Sequence, residues 1–235
     1  MMRWVVRMAG VLGLAMFGTL PGAAAPSPTA AEAIAQFPDV AAFWQATPEG
    51  GMRHIKSGLD CGPPQSESGT LRLLGTTPTP VAGDDAFCMF EDAAGARYTL
   101  YATRIPGAQQ ADMMNDAVAA IQQAFGPLRK GLGIKVIMRE GLPLAKAVSW
   151  ADSAGFIAAL QGKGNVSTVV RLALIGEWVV KMRSTSAADG IAAGEKPTKA
   201  QGEAFVAVVT GFENAMSLLY LNALATVAEG QGLLE

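Results

Sequence analysis

The chain has 235 residues, 50% apolar and 16% charged, with 18 Lys and Arg against 20 Asp and Glu. That balance excludes a disordered chain, which needs low hydrophobicity and high net charge, and a strongly basic nucleic-acid binder. The length suits one domain with a sizeable core.

The N-terminus reads as an address. Arg3 and Arg7 precede an apolar stretch from Ala9 to Leu20, and Pro21-Gly22-Ala23-Ala24-Ala25 follows. A positive start, a short apolar run and a small-residue site describe a secretory signal peptide, here residues 1–24. Cleavage after Ala25 would leave Pro26 first, so cleavage after Ala24 is expected. No Cys lies near the site and the two arginines are not adjacent, which points to the general export route and a periplasmic or secreted protein. Residues 25–38 begin with a Pro, Ala, Ser and Thr tract and read as a flexible linker, leaving 39–235 as a single domain. Cys61 and Cys88 are the only cysteines. An even pair in an oxidising compartment, with no C-x-x-C spacing, is expected to form a disulfide.

Along the domain, Asp39–Gln45 suits a short helix, and His54–Leu59 and Thr70–Leu74 suit strands on either side of a turn-rich stretch. Gly75–Asp85 reads as a loop, since Pro78 and Pro80 exclude a central strand. Phe87–Glu91 and Arg97–Ile105 form a hairpin around Asp92-Ala93-Ala94-Gly95. Gln109–Phe125 switches to helical period through Met114, Val118, Ile121 and Phe125, and Gly126-Pro127 stops it. Ile134–Arg139 and Ala145–Trp150 read as strands.

Val166–Ser184 forms a second hairpin. A three-residue loop, Ile175-Gly176-Glu177, gathers Val170, Leu172, Leu174, Trp178, Val180 and Met182 on one face. It leaves Arg171, Lys181 and Arg183 on the other, with Arg171 directly opposite Lys181. Thr198 and Gln201 open a last helix carrying Phe205, Val208, Phe212, Met216 and Leu219. Its one charge between Ala204 and Ala228 is Glu213, and a central carboxylate costs ~3 kcal/mol in a bilayer, so a helix packed on the sheet is expected rather than a span.

Strands, hairpin and helix, twice over, imply an α+β fold with an antiparallel sheet built from hairpins, and one medium and one long C-terminal helix packed on it. In element order the chain resembles the PsbP-like α/β sandwiches, small exported or organellar domains used mostly as binding and assembly modules. No motif accompanies the resemblance, so it transfers no functional residue.

The chemistry available is sparse. His54 is the sole histidine, which excludes two- and three-histidine zinc sites. Asp84 and Asp85, with Glu91 and Asp92 beyond, offer oxygen ligands of the kind calcium takes, without EF-hand spacing. There is no G-x-S-x-G or S-x-x-K signature, and Gly162-Lys163-Gly164-Asn165 lacks phosphate-loop spacing. The sequence therefore points to no catalytic residue, metal or cofactor. It suggests an exported, non-enzymatic binding or assembly module for an envelope protein or a small anionic or apolar ligand. The alternative is a carboxylate-dependent hydrolase or other envelope enzyme using Asp84, Asp85 or Glu213. Like charges facing each other across strands are mildly destabilising, so Arg171, Lys181 and Arg183 are the expected ligand-binding residues for an anionic partner.

Overall fold

The computed structural model describes residues 28–63, 65–66, 69–75, 81–91, 95–126, 128–130, 143–160, 164–187 and 219–234. The expected signal peptide, the strand at 134–139, Glu213 and the first part of the last helix lie outside them.

The fold is α+β, built on an antiparallel sheet with eight strands among the described residues. In chain order its strands are β3 (Gln65–Ser66), β4 (Gly69–Gly75), β5 (Asp85–Glu91), β6 (Arg97–Arg104), β7 (Leu128–Lys130), β8 (Val148–Leu160), β9 (Gly164–Ile175) and β10 (Trp178–Ala187). Across the sheet they run β3-β4-β5-β6-β10-β9-β8-β7, so the two hairpins meet where β6 pairs with β10. Two short strands, β1 (Trp44–Ala46) and β2 (Met52–His54), form a separate ribbon, and a short helix, α3 (Pro143–Ala147), precedes β8.

The expected hairpin at 87–105 is present as β5–β6, and the helical period from 109 is α2 (Gln110–Phe125), closed by Gly126 at a φ of +79°. α2 lies on one sheet face. Its Ala117 and Ile121 pack with Val170, Leu172 and Val179, and with the half-buried Trp150 and Phe156. Burying Ile121 alone contributes roughly 2–3 kcal/mol. The opposite face carries the larger core, where Phe90, Leu100, Val180 and Met182 meet Tyr220, Leu224 and Val227 of the C-terminal helix α4, described over residues 219–230. The Cys61–Cys88 disulfide ties the segment after β2 to β5.

Several expectations need correction. The supposed linker holds a helix, α1 (Ala30–Ala35), which Thr29 and Glu32 open with a reciprocal capping box. Its Ala30, Ala33 and Ile34 are buried. Asp39–Gln45 forms not a helix but a 3₁₀ turn at Ala41–Phe43 followed by β1. The stretch from His54 to Leu59 is not a strand either: the chain turns sharply after His54, and Gly58 N–H bonds back to the His54 carbonyl. The strand expected at Ala145–Trp150 starts later, because a short helix occupies Pro143–Ala147, and β8 then runs from Val148 to Leu160.

The most consequential correction concerns the second hairpin. Its loop has two residues, Gly176 and Glu177, and Ile175 pairs with Trp178. Gly176 has a φ of +57°, the left-handed geometry required of the first position in a favoured two-residue hairpin turn. Arg171 therefore pairs with Met182, Lys181 with Leu172 and Arg183 with Val170. The choice of a three-residue loop assumed one buried face. Both faces are covered here, α2 on one and α4 on the other, so the more mixed pattern is the stable one.

Candidate ligand-binding site

The corrected register separates the three expected ligand-binding cations. Arg171 shares the α4 face with Ala173, Val180 and Met182 and is only 3% exposed. Burial lowers its pKa, while the nearby Tyr220 raises it. The Tyr220 hydroxyl is itself buried without a hydrogen-bond partner among the described residues, and desolvation pushes its pKa far up. Arg171 belongs to the packed interior.

Lys181 and Arg183 remain together, two residues apart on the face that α2 partly covers. Antiparallel pairing sets Lys181 beside Tyr101 of β6, and Tyr101 beside Phe87 of β5. The Lys181 Nζ stands 4.0 Å from the centre of the Tyr101 ring, and the Phe87 and Tyr101 rings are 5.8 Å apart. The Arg183 guanidinium lies 5.6 Å from the centre of the Phe125 ring, in the last turn of α2. Neither cation has a carboxylate within ion-pair distance among the described residues. Lys181, Arg183, Tyr101, Phe87 and Met89 are all half-buried.

The two cations thus sit on aromatic faces at the margin of an apolar shelf. A cation over a ring gains roughly 0.5–2 kcal/mol, increasing as water is removed. Desolvation, then the Arg183 charge, lowers the Lys181 pKa to about 8, with Asp85 acting weakly in the other direction. An anion reaching this margin would supply the negative charge the pair lacks, and the rings offer an apolar surface for the body of the same molecule.

The acidic pair near β5 is otherwise engaged. Asp84 is bridged by Lys56 at 3.1 Å and Arg104 at 3.6 Å, and Arg104 continues to Glu177 at 2.6 Å. Asp85 accepts a hydrogen bond from the Thr103 hydroxyl. These contacts use the carboxylates to tie the loop before β5 to the start of the β2 turn and the ends of β6 and β10. No group of three or more His, Cys, Asp or Glu among the described residues is arranged to hold a metal ion.

His54 is fully buried at the centre of that junction, its ring centroid 5.3 Å from Trp44 and 6.1 Å from Trp178. Its Nδ1 lies 2.9 Å from the Ser57 hydroxyl and accepts the Ser57 N–H at 3.3 Å. Ser57 also has no exposure, and its hydroxyl accepts the Leu59 N–H. The His–Ser pair therefore staples a tight turn.

The aromatic seats Tyr101 and Phe125 were not identified from the sequence as parts of a site. The alternation of β6 does separate Tyr101 from the buried Leu100 and Ala102, but a β6–β10 pairing between strands distant in sequence has no local signal. The chain matches no protein-family model and no curated protein.

Proposed function

We propose that this chain is an exported, non-enzymatic binding or assembly module. Its ligand or partner carries an anionic group beside an apolar or aromatic body, and Lys181 and Arg183 receive the anion. The observation that carries this reading is two neighbouring, half-buried cations seated on Tyr101 and Phe125 without a carboxylate partner among the described residues. Partly buried charges are costly unless compensated, and here rings provide the compensation that acids usually give. The leader pattern of residues 1–24 supports export, and the Cys61–Cys88 bond suits an oxidising compartment. The PsbP-like element order adds a general association with binding and assembly roles.

A defined probe tests the reading. Anilinonaphthalene sulfonate, an aromatic anion, is expected to bind the wild-type protein at low salt. The Lys181→Ser/Arg183→Ser variant is expected to bind it at least tenfold more weakly, with the difference shrinking at high salt. Equal binding by both proteins at low ionic strength would overturn the assignment.

A further inference from the structure

The turn from His54 to Gly58 holds the end of α4. Gly58 and Gly230 are in backbone contact, the Asp60 N–H bonds to the Thr226 hydroxyl at 3.2 Å, and the Gln231 side-chain amide donates to the Lys56 carbonyl at 3.1 Å. The turn itself depends on His54. The His54 N–H donates to the Leu59 carbonyl, the His54 carbonyl accepts from Gly58, and Nδ1 accepts the Ser57 N–H.

That last bond favours one tautomer. An Nδ1 that accepts an amide hydrogen carries no proton, so in the neutral ring the proton is on Nε2, which is buried without a hydrogen-bond partner among the described residues. A second proton has only one place to go. It must enter at Nδ1, which can then donate to the Ser57 hydroxyl at 2.9 Å but no longer accepts the Ser57 N–H, so the amide bond that closes the turn is lost around a ring with no exposure. We propose that His54 is an acid latch: protonation at Nδ1 opens the 54–58 turn and releases the end of α4 from it.

The surroundings agree in sign. Trp44 and Trp178 flank the ring and offer no formal charge. The charged groups acting on it are Asp85 and Asp84, which favour the imidazolium, and Lys56, which opposes it. Asp84 is drawn toward Lys56 and Arg104, and Asp85 toward Thr103. Desolvation outweighs them all and lowers the pKa to about 4. An open turn, with its imidazole in water near the ordinary value of 6.5, takes up the proton first. The closed form is therefore fully favoured above pH 6.5 and loses ground as pH falls toward 4.

Because His54 is the only histidine, nuclear magnetic resonance of the ring gives a single unambiguous titration. In the full chain, the ring nitrogens should report a neutral Nε2–H tautomer at pH 7 and proton uptake at Nδ1 well below pH 6.5. Amide exchange, corrected for intrinsic rates, should rise at least tenfold in residues 54–60 and 226–231 with the same midpoint, while β9 and β10 stay protected. His54→Asn, which keeps an acceptor but cannot titrate, should hold its protection over that range. Titration near 6.5 with unchanged protection would overturn the latch. So would loss of protection in both segments of His54→Asn at the wild-type midpoint, or simultaneous loss across β9 and β10. If that variant does not fold, coincidence of the wild-type ring and amide midpoints decides.

Discussion

Gly58 and Gly230 touch backbone to backbone: a Cβ built on Gly230 would lie 2.7 Å from the Gly58 Cα. On Gly58, whose φ is +80°, a Cβ would come 2.6 Å from the Thr226 carbonyl oxygen. Neither obstacle is a flexible side chain, so one backbone has to move. Gly230→Ala is expected to destabilise the protein by roughly 2 kcal/mol or more, and Gly58→Ala by at least as much, since it adds left-handed strain. Gly95→Ala is the control. It has a similar φ of +78° with nothing within 4 Å, and should cost only about 1 kcal/mol. Denaturant midpoints of the three variants measure the difference, and equal losses would mean that the close approach does not matter.

The disulfide closes a loop between residues 27 apart in sequence. Cys61→Ser/Cys88→Ser is expected to cost roughly 3 kcal/mol, chiefly by freeing the unfolded chain. Because Cys61 also follows the turn that holds α4, reduction should weaken α4 docking before it disturbs the β9–β10 hairpin. Amide exchange in the reduced protein tests that order. Loss of protection in the hairpin first would contradict it.

Tyr220 separates shape from polarity. Its ring fills the core near Arg171, and its hydroxyl is buried without a hydrogen-bond partner among the described residues. Removing an unpaired buried hydroxyl costs little, so Tyr220→Phe should melt at or above the wild-type temperature. Tyr220→Ala, which leaves a cavity, should lose ~3–5 kcal/mol. A large loss in Tyr220→Phe would show that the hydroxyl has a stabilising partner.

Lys181 carries a pH signature. Its folded pKa is lowered to about 8, so folding resists its protonation. The resulting penalty is full below pH 8 and fades as pH rises to 10.5, above which both folded and unfolded chains hold a neutral amine. Lys181→Met, similar in length and without charge, should therefore raise the melting temperature at pH 7, with the gain shrinking above pH 9. A gain that persists unchanged at pH 10.5 would assign it to packing instead. Stabilisation at pH 7 together with weakened anion binding is the combination expected of a residue retained for recognition.

The parts of the fold legible in the sequence are those with strong local patterns. The β5–β6 hairpin follows from its aromatic and β-branched residues, α2 from Met114, Val118, Ile121 and Phe125, and the disulfide from an isolated cysteine pair. The hairpin at 166–184 was also legible, but its register was not. Alternation cannot select a register when Val170 and Leu172 meet α2 on one side while Ala173 and Val180 meet α4 on the other. The left-handed Gly176 turn was the better guide.

Of the candidate site, two of three cations were legible as a pair, and Arg171 was misplaced by that register. The turn at His54 was hidden for a different reason. Its partners Ser57, Trp44 and Trp178 share no sequence periodicity, and Trp178 reaches His54 only through the packing of the β1–β2 ribbon against the sheet.

The most direct test of the proposed function is a chemical-shift map of the isotope-labelled protein titrated with anilinonaphthalene sulfonate at low salt. Saturable shifts should concentrate at residues 99–103 and 181–183 and at the end of α2 around Phe125, and should vanish in Lys181→Ser/Arg183→Ser. Shifts concentrated elsewhere, or unchanged in that double variant, would contradict the assignment of this margin as the anion-binding site.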